Sequence, residues 1–379
     1  MRVLLFSPVR HLDPASGDIG YTENLLMSPP SGVVYTTYAE AIERGLLQVR
    51  GVRGTVGVSD RLLRAGRGLE VLARRRGVMF REPCWFVSTT PGAFDLVHQH
   101  LFAVAQIGAR LPVFSSAGYP LDVRYLDHDG WSPARTRVAI SLERGLNRVG
   151  RVHNPWLHHV QPAISSGYTE EFRRQFVSRG VPESQSLVLS TYLAAGSPSR
   201  TVSDGRTLAF VGRDFERKGG PIALAAFSDL RRADPSLRLQ VVTSAADALA
   251  IPETTGVVVH GELPHHEVLS LLARTDVLLA PTGSDCGAPY GVLEALRAGC
   301  SVVLAHNRWL DERLNPPVVS RVPPLASDVA RATTAQLERR HRDHALAVSE
   351  ARGLWRAHFS EETFLDQLLA GYRAAVNLR

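Results

Sequence analysis

Lysine is nearly missing from this chain. Lys218 is the single lysine among 43 basic side chains, and every other cation is arginine. Such a bias is compositional, but it makes the position of the one ammonium group informative. Cysteine is scarce too. Cys84, Cys286 and Cys300 are odd in number and widely spaced, which gives neither a disulfide framework nor a zinc site. A reducing cytoplasm is the compartment that fits. No apolar run approaches membrane-spanning length. The opening MRVLLFSP is too short for a signal-peptide core and reads as a first buried strand. Hydrophobic residues make up 44% and charged residues 21%, a balance that excludes global disorder. The net charge of +6 favours anionic partners. Basic and aromatic residues do not alternate, so nucleic acid has no support beyond that charge. His341 and His344 share a helical spacing, but without a third ligand they do not make a metal site.

What is present is an alternation of short apolar runs with longer amphipathic ones. Strands are predicted at 2–6, 95–98, 112–116 and 160–166 in the first half, and at 207–212, 237–242, 256–261, 276–281 and 301–306 in the second. Helical patterns such as 220–233 and 266–276 lie between them. Strand, helix and strand in repetition means a parallel sheet covered on both faces. The length favours two domains, and the Gly-, Ser- and Pro-rich stretch 194–206 is the natural linker. A last amphipathic helix spans 359–376. Segment 61–81 holds seven arginines against one acid. It reads either as an interfacial helix on anionic lipid or as a solvated face whose arginines lie over a core stripe. Gly66 and Gly68, which weaken a helix, favour the second.

Lys218 lies in VGRDFERKGG, between a strand and a helix. That connection stands at the carboxyl edge of an open sheet, where ligands bind. Arg213 offers a planar fork and Lys218 a compact ammonium. Gly219 and Gly220 let the backbone approach closely, and a helix start follows. The set suits a diphosphate, whose growing charge two cations would stabilise as a glycosidic bond breaks. The plain alternative is a surface loop with a chance lysine. A second strand–loop–helix unit, 276–306, carries Asp285, Cys286 and Gly287, then Pro289, Tyr290 and Gly291, with Glu294 at the start of a helix. A carboxylate there can accept bonds from ribose hydroxyls, or it can simply complement the helix dipole. Asp127 and Asp129, in LDHDGW, form a D-x-D that could hold a divalent cation.

Together these motifs resemble the donor-binding half of GT-B glycosyltransferases, in particular the retaining family 4. Gly212-Arg213-(DFER)-Lys218 is similar to that family's G-R-x(4)-K element. The stretch from Pro281 to Gly287 and from Glu294 to Val303 is similar to its P-S-x-x-E-G-F-G-x(4)-E-A-x-A-x-G-x-P-V-V. The resemblance implies Arg213 and Lys218 on the donor diphosphate and Glu294 on the ribose, with Gly212, Gly287, Tyr290 and Gly291 in the donor site. The family's first glutamate falls on Cys286, and Asp285 is the nearest acid, so Asp285 is expected to hold the sugar. The first half resembles the acceptor domain more loosely. Ser16 to Tyr21 stands where a Gly-rich loop, through Gly17, meets the donor phosphate. DLVHQH resembles a strand end whose last histidine, His100, faces the donor sugar from the cleft between domains, whereas His98 is expected to be structural.

The expected fold is α/β and GT-B. Residues 1–195 form an acceptor-binding Rossmann-like domain, 196–355 a donor-binding one, and 356–379 a helix that returns to the first domain. The expected activity is retaining transfer of a UDP- or GDP-linked sugar to a glycan, lipid-linked or small-molecule acceptor. No cofactor or metal is expected, the site is cytoplasmic, membrane contact is limited to 61–81, and the domains close about 194–206. Two rivals remain: a degenerate nucleotide-sugar-binding scaffold, suggested by Cys286, and a metal-dependent GT-A enzyme, suggested by the D-x-D.

Overall fold

The computed structural model describes residues 1–7, 19–52, 84–100, 103–108, 110–116, 132–150, 163–178, 180–193, 203–283, 285, 287–315 and 317–378. The chain divides into two compact units. One comprises Met1–Leu189 with Leu365–Arg379, the other Ser190–Phe364.

The first unit contains strands β1 (Arg2–Phe6), β2 (Val34–Thr37), β3 (Leu47–Val52), β4 (Cys84–Thr89), β5 (Leu96–His100), β6 (Ala103–Gln106), β7 (Val113–Ser116), β8 (Ala163–Gly167) and β9 (Ser186–Val188). Its helices are α1 (Ile19–Met27), α2 (Tyr38–Glu43), α3 (Pro133–Gly150) and α4 (Glu170–Ser178). Six strands form one sheet in the order β2-β1-β5-β7-β8-β9, parallel throughout. A smaller sheet, β3-β4-β6, is separate in its hydrogen bonding but packs Leu47, Val87 and Val104 into one core with Leu4, Phe6 and Val97 of the larger sheet. Strands β5 and β7 are buried along their whole length. That is why they appear in the sequence as short continuous runs rather than alternating ones. Thr37 caps α2 with a full capping box, its Oγ1 accepting from Glu40 N while the Glu40 carboxylate accepts from Thr37 N at 2.8 Å.

The second unit holds β10 (Thr207–Val211), β11 (Arg238–Val242), β12 (Val257–His260), β13 (Val277–Ala280), β14 (Ser301–Ala305) and β15 (Val319–Val322). Its helices are α5 (Gly220–Ala233), α6 (Ala245–Ala250), α7 (His265–Leu272), α8 (Tyr290–Ala298), α9 (Ala326–Arg342) and α10 (His344–Phe359). The sheet order is β12-β11-β10-β13-β14-β15, again all parallel. Period-two alternation divides its core in two. Leu208, Phe210, Leu239 and Val241 face a cluster built on Ala223, Phe227 and Leu230 of α5. Ala209, Leu278, Val302 and Leu304 face the opposite cluster, built on Val292, Leu293 and Leu296 of α8. The last helix, α11 (Glu361–Val376), starts in the second unit, and from Leu365 onward it belongs to the first.

Both six-stranded sheets reverse their strand order once. The reversal falls between β1 and β5 in the first and between β10 and β13 in the second. At such a switch point the two loops leave in opposite directions and open a crevice at the carboxyl edge.

The turn after β10 is shaped by glycine. Gly219 has φ of 81°, and a Cβ placed there would meet the Pro281 carbonyl oxygen at 2.5 Å. At Gly220 a Cβ would collide with the ring of Phe215. The turn leaving β10 is therefore seated directly on the one leaving β13. Gly219→Ala combines left-handed backbone with a clash against main chain. It is expected to destabilise the protein by ~2 kcal/mol or more, read from urea unfolding. A neutral result would mean that the two turns can separate.

Candidate functional site

At the switch point of the second sheet, three charged groups converge. Lys218 Nζ donates to Asp285 Oδ1, and Arg217 Nη1 stands 3.8 Å from the same oxygen. Asp285 is nearly buried, with 11% of its side chain exposed, and Lys218 is about a quarter exposed. The main chain of Asp285 is fixed as well, because its carbonyl accepts from Asn307 Nδ2 at 3.0 Å. Asn307 Oδ1 in turn accepts from Trp309 N and Leu310 N. Gly287, with φ of 64°, donates its N–H to Trp309 O and accepts from Asp311 N, each at 2.8 Å. The loop after β13 is thus held from below by the segment after β14.

Arg213 is placed differently from Lys218. It is fully on the surface and 3.4 Å from Glu262 Oε1, itself exposed. An open pair of this kind contributes little and leaves the guanidinium available. Gly212 makes room for the lysine stem, since a Cβ there would stand 3.0 Å from Lys218 Cβ and Cγ. Helix α5 offers fewer donors than its position suggests. Gly219 N and Gly220 N are spent on Glu216 O and Phe215 O, and Pro221 has no N–H. Ile222 is the first helical N–H that these turns leave unused.

Glu294 is the fifth residue of α8, one turn deeper than its reading as a helix-start carboxylate. The dipole effect fades within the first turn, so it does not account for this acid. Glu294 is 8% exposed, and its Oε1 accepts from His265 Nε2 at 2.7 Å. His265 opens α7. That contact holds the His265 pKa above the ordinary histidine range, more than partial burial and Arg297 lower it. Arg297, one turn beyond Glu294 on α8, is pushed down by burial. Tyr290 packs half-buried against the core cluster under α8. Gly291 faces open space where a side chain would fit.

The switch point of the first sheet is lined by polar groups on fully buried backbone. His98 Nδ1 is 2.6 Å from the Tyr372 hydroxyl, and its Nε2 is 3.0 Å from Ser116 Oγ and 3.4 Å from Tyr21 OH. Burial, and then the neighbouring His100, hold the His98 pKa well below the ordinary value, so it is neutral. His100 Nδ1 is 2.8 Å from the same Ser116 Oγ. Its ring stacks on Tyr21 with centroids 4.0 Å apart. Ser116 Oγ therefore bridges the two histidines. Tyr372, on α11, also meets Tyr35 OH at 2.8 Å. Beside it, Gly371 has no Cβ to clash with Phe114.

Residues 205–319 match the model of the family described as Glycosyl transferases group 1. Three solved structures match along almost the full length of both chains. Sucrose-phosphate synthase from Thermosynechococcus elongatus is 15% identical, covers 100% of each chain and has a TM-score of 0.61. A glycosyltransferase from Rickettsia africae is 11% identical, with 99% and 98% covered and a TM-score of 0.58. HepE of Anabaena, in complex with UDP and glucose, is 13% identical, with 97% and 98% covered and a TM-score of 0.55. No curated protein sequence matches.

The fold is GT-B. The stretch that matches the group 1 glycosyl transferase model, 205–319, lies within its second unit. Within this GT-B chain, Lys218, Asp285, Gly212 and Gly287 come together at one switch point, with Arg213 at its rim. Glu294 is bound to His265. Tyr290 is part of the packing. Gly17, Cys286, segment 61–81, Asp127 to Asp129 and residues 194–202 of the linker lie outside the described residues. Among the described residues no cluster of metal-ligating side chains is found, and no helix is long and apolar enough to cross a membrane. Sequence reasoning passed over Arg217, His265, Asn307 and Tyr372. The HH pair opening α7, beside a Pro helix entry, was the only available sign of His265.

The buried neutral His98 has a pH consequence. Its folded pKa is depressed, so below about 6.5 the unfolded chain takes a proton that the folded chain refuses. Stability is then lost as pH falls. Between pH 7 and 5.5 this one group is expected to remove about 1 kcal/mol, read from denaturant unfolding. His98→Gln should flatten that part of the profile, and an unchanged profile would mean that His98 titrates in the folded state.

Proposed function

We propose that the protein transfers a sugar from a nucleotide-diphosphate donor to an acceptor hydroxyl, with retention of configuration and without a metal ion, as in glycosyltransferase family 4. The observation that carries this reading is the placement of Lys218. The only lysine in the chain stands at the sheet's switch point, within the stretch that matches the group 1 glycosyl transferase model, beside Arg217 and with its charge held by one carboxylate. An anionic ligand arriving there exchanges with Asp285 for the cation. The diphosphate takes Lys218, with Arg213 closing from the rim. The released Asp285 carboxylate accepts from sugar hydroxyls, in place of the glutamate that this chain lacks. As the glycosidic bond breaks, negative charge grows on the diphosphate, and two cations already in place stabilise it. Glu294 holds the ribose. His100 acts at the donor sugar, and Gly17 lets its loop approach the phosphate. That HepE, of the same fold, was crystallised with UDP and glucose agrees with a UDP-linked sugar. The acceptor is a glycan, a lipid-linked sugar or a small molecule.

The test is thermal stabilisation by UDP-, GDP- and ADP-sugars, with and without Mg²⁺, on the native chain and on Lys218→Ala. One donor should stabilise the native chain without metal, and the variant should lose the effect. Turnover of that donor should fall by more than ~100-fold in the variant, as removal of a charge-stabilising group does. No shift with any donor would favour a non-catalytic scaffold. A shift that requires metal, or near-normal turnover of the variant, would defeat the mechanism. The anomeric coupling constant of the product, read by proton NMR, decides retention.

A further inference from the structure

We propose that His265 is a positioning residue for the ribose carboxylate Glu294, and that its charge couples nucleotide affinity to pH. The inference rests on the assignment of Glu294 to the ribose. It goes beyond that assignment in naming the group that sets the carboxylate and the regulation that follows.

The geometry is specific. Glu294 is almost entirely buried on the second turn of α8, and His265 opens the packed neighbouring helix α7. His265 Nε2 reaches Glu294 Oε1 at 2.7 Å. The two side chains differ in access, with 67% of His265 exposed against 10% of Glu294. A carboxylate has about four acceptor sites, and the imidazole uses one of them. Oε2 is left to receive a ribose hydroxyl, while the bond at Oε1 fixes the plane of the carboxylate. Pre-setting an acceptor in this way removes ordering that the ligand would otherwise have to impose.

The charges facing His265 work in opposite directions. Glu294 favours the imidazolium, whereas Arg297 on α8 and the N-terminus of α7 oppose it. On its own helix, His266 and Glu267 are exposed. The Glu294 bond prevails. A bound nucleoside diphosphate adds negative charge to the same unit, which favours the imidazolium further. By linkage, binding takes up protons at His265, so affinity falls as pH rises through its raised pKa. A neutral imidazole can still donate from Nε2, but it brings no charge and must first adopt that tautomer.

The experiment is calorimetric binding of UDP, GDP and ADP between pH 6.5 and 8.5, using whichever binds most tightly. It compares the native chain with His265→Ala, His265→Gln and Glu294→Ala. His265→Ala is expected to weaken binding about tenfold near pH 7, the scale of a lost charge-assisted bond. His265→Gln, which keeps a donor, should recover most of that loss. The native chain should lose affinity across the pH range relative to His265→Gln, a comparison that cancels the phosphate's own titration. His265→Gln keeps a donor to the buried Glu294 carboxylate and should keep the native unfolding midpoint, whereas His265→Ala, which leaves that carboxylate without its donor, should lower it modestly. Equal affinity of His265→Ala and the native chain, or identical pH profiles for the native chain and His265→Gln, would overturn the proposal. If those results appear while Glu294→Ala loses binding, the ribose assignment survives and only the role of His265 is lost. If Glu294→Ala binds normally, or no nucleotide binds the native chain, the ribose assignment itself fails and this inference with it.

Discussion

The ion pair between Lys218 and Asp285 is the contact around which the switch point of the second unit is arranged. It joins the loop leaving β10 to the loop leaving β13, the two strands that flank the reversal of strand order. An exposed pair would contribute little. Here Asp285 is nearly buried, so removing the lysine leaves a carboxylate that has lost its solvent and its main partner. The surrounding residues make that approach possible. Gly212 clears the lysine stem, Gly219 seats the turn on Pro281, and Asn307 fixes the aspartate main chain. Each is a local irregularity with little meaning alone, and all of them serve one charge placement.

The first unit solves a related problem by a different route. Two histidines lie on a strand with no exposed residue, where an uncompensated charge would be costly. His98 stays neutral and is surrounded by the hydroxyls of Tyr372, Ser116 and Tyr21. The hydroxyl is the suitable partner, since it can donate to one ring and accept from another, and Ser116 meets both histidines. His100 lies at the carboxyl end of β5, flat against Tyr21, where the strand order reverses. Both rings are fully buried, and they differ in their partners: His98 meets three hydroxyls, whereas His100 meets Ser116 and the face of Tyr21.

Much of the architecture was legible because buried parallel strands leave a strong trace. The nine expected strands all correspond to observed ones, and 220–233 coincides with α5. Strands β2, β3, β4, β6, β9 and β15 escaped notice. VYTT of β2 is half polar and lies at a sheet edge, and β9 is three residues long. Helix α7 ends at Leu272, earlier than its pattern suggested, because Thr275 and Asp276 serve another purpose. Asp276 accepts from Thr207 N, Ser203 Oγ and the fully buried Arg340, tying α9 to the foot of the sheet. The site was legible as motifs but not as contacts. Lys218 and Glu294 stand out by spacing, whereas Tyr372 meets His98 across 274 positions and nothing local marks either residue for the other.

The departure of the loop after β13 from the family pattern also has a physical reading. Where the resemblance calls for a glutamate, the chain has Cys286, with an aspartate one residue earlier. Aspartate has a shorter side chain, so it can replace glutamate only if its backbone stands closer to the cation. The bond from Asn307 to the Asp285 carbonyl and the bridge from Gly287 to the segment at Leu310 hold the loop on both sides of position 286. Gly287 adopts the positive φ that lets the chain turn immediately after it. The anchoring falls on the residues on either side of position 286. A loop without a carboxylate would leave the chain's one lysine without a counter-ion at the sheet edge, and here Asp285 binds it.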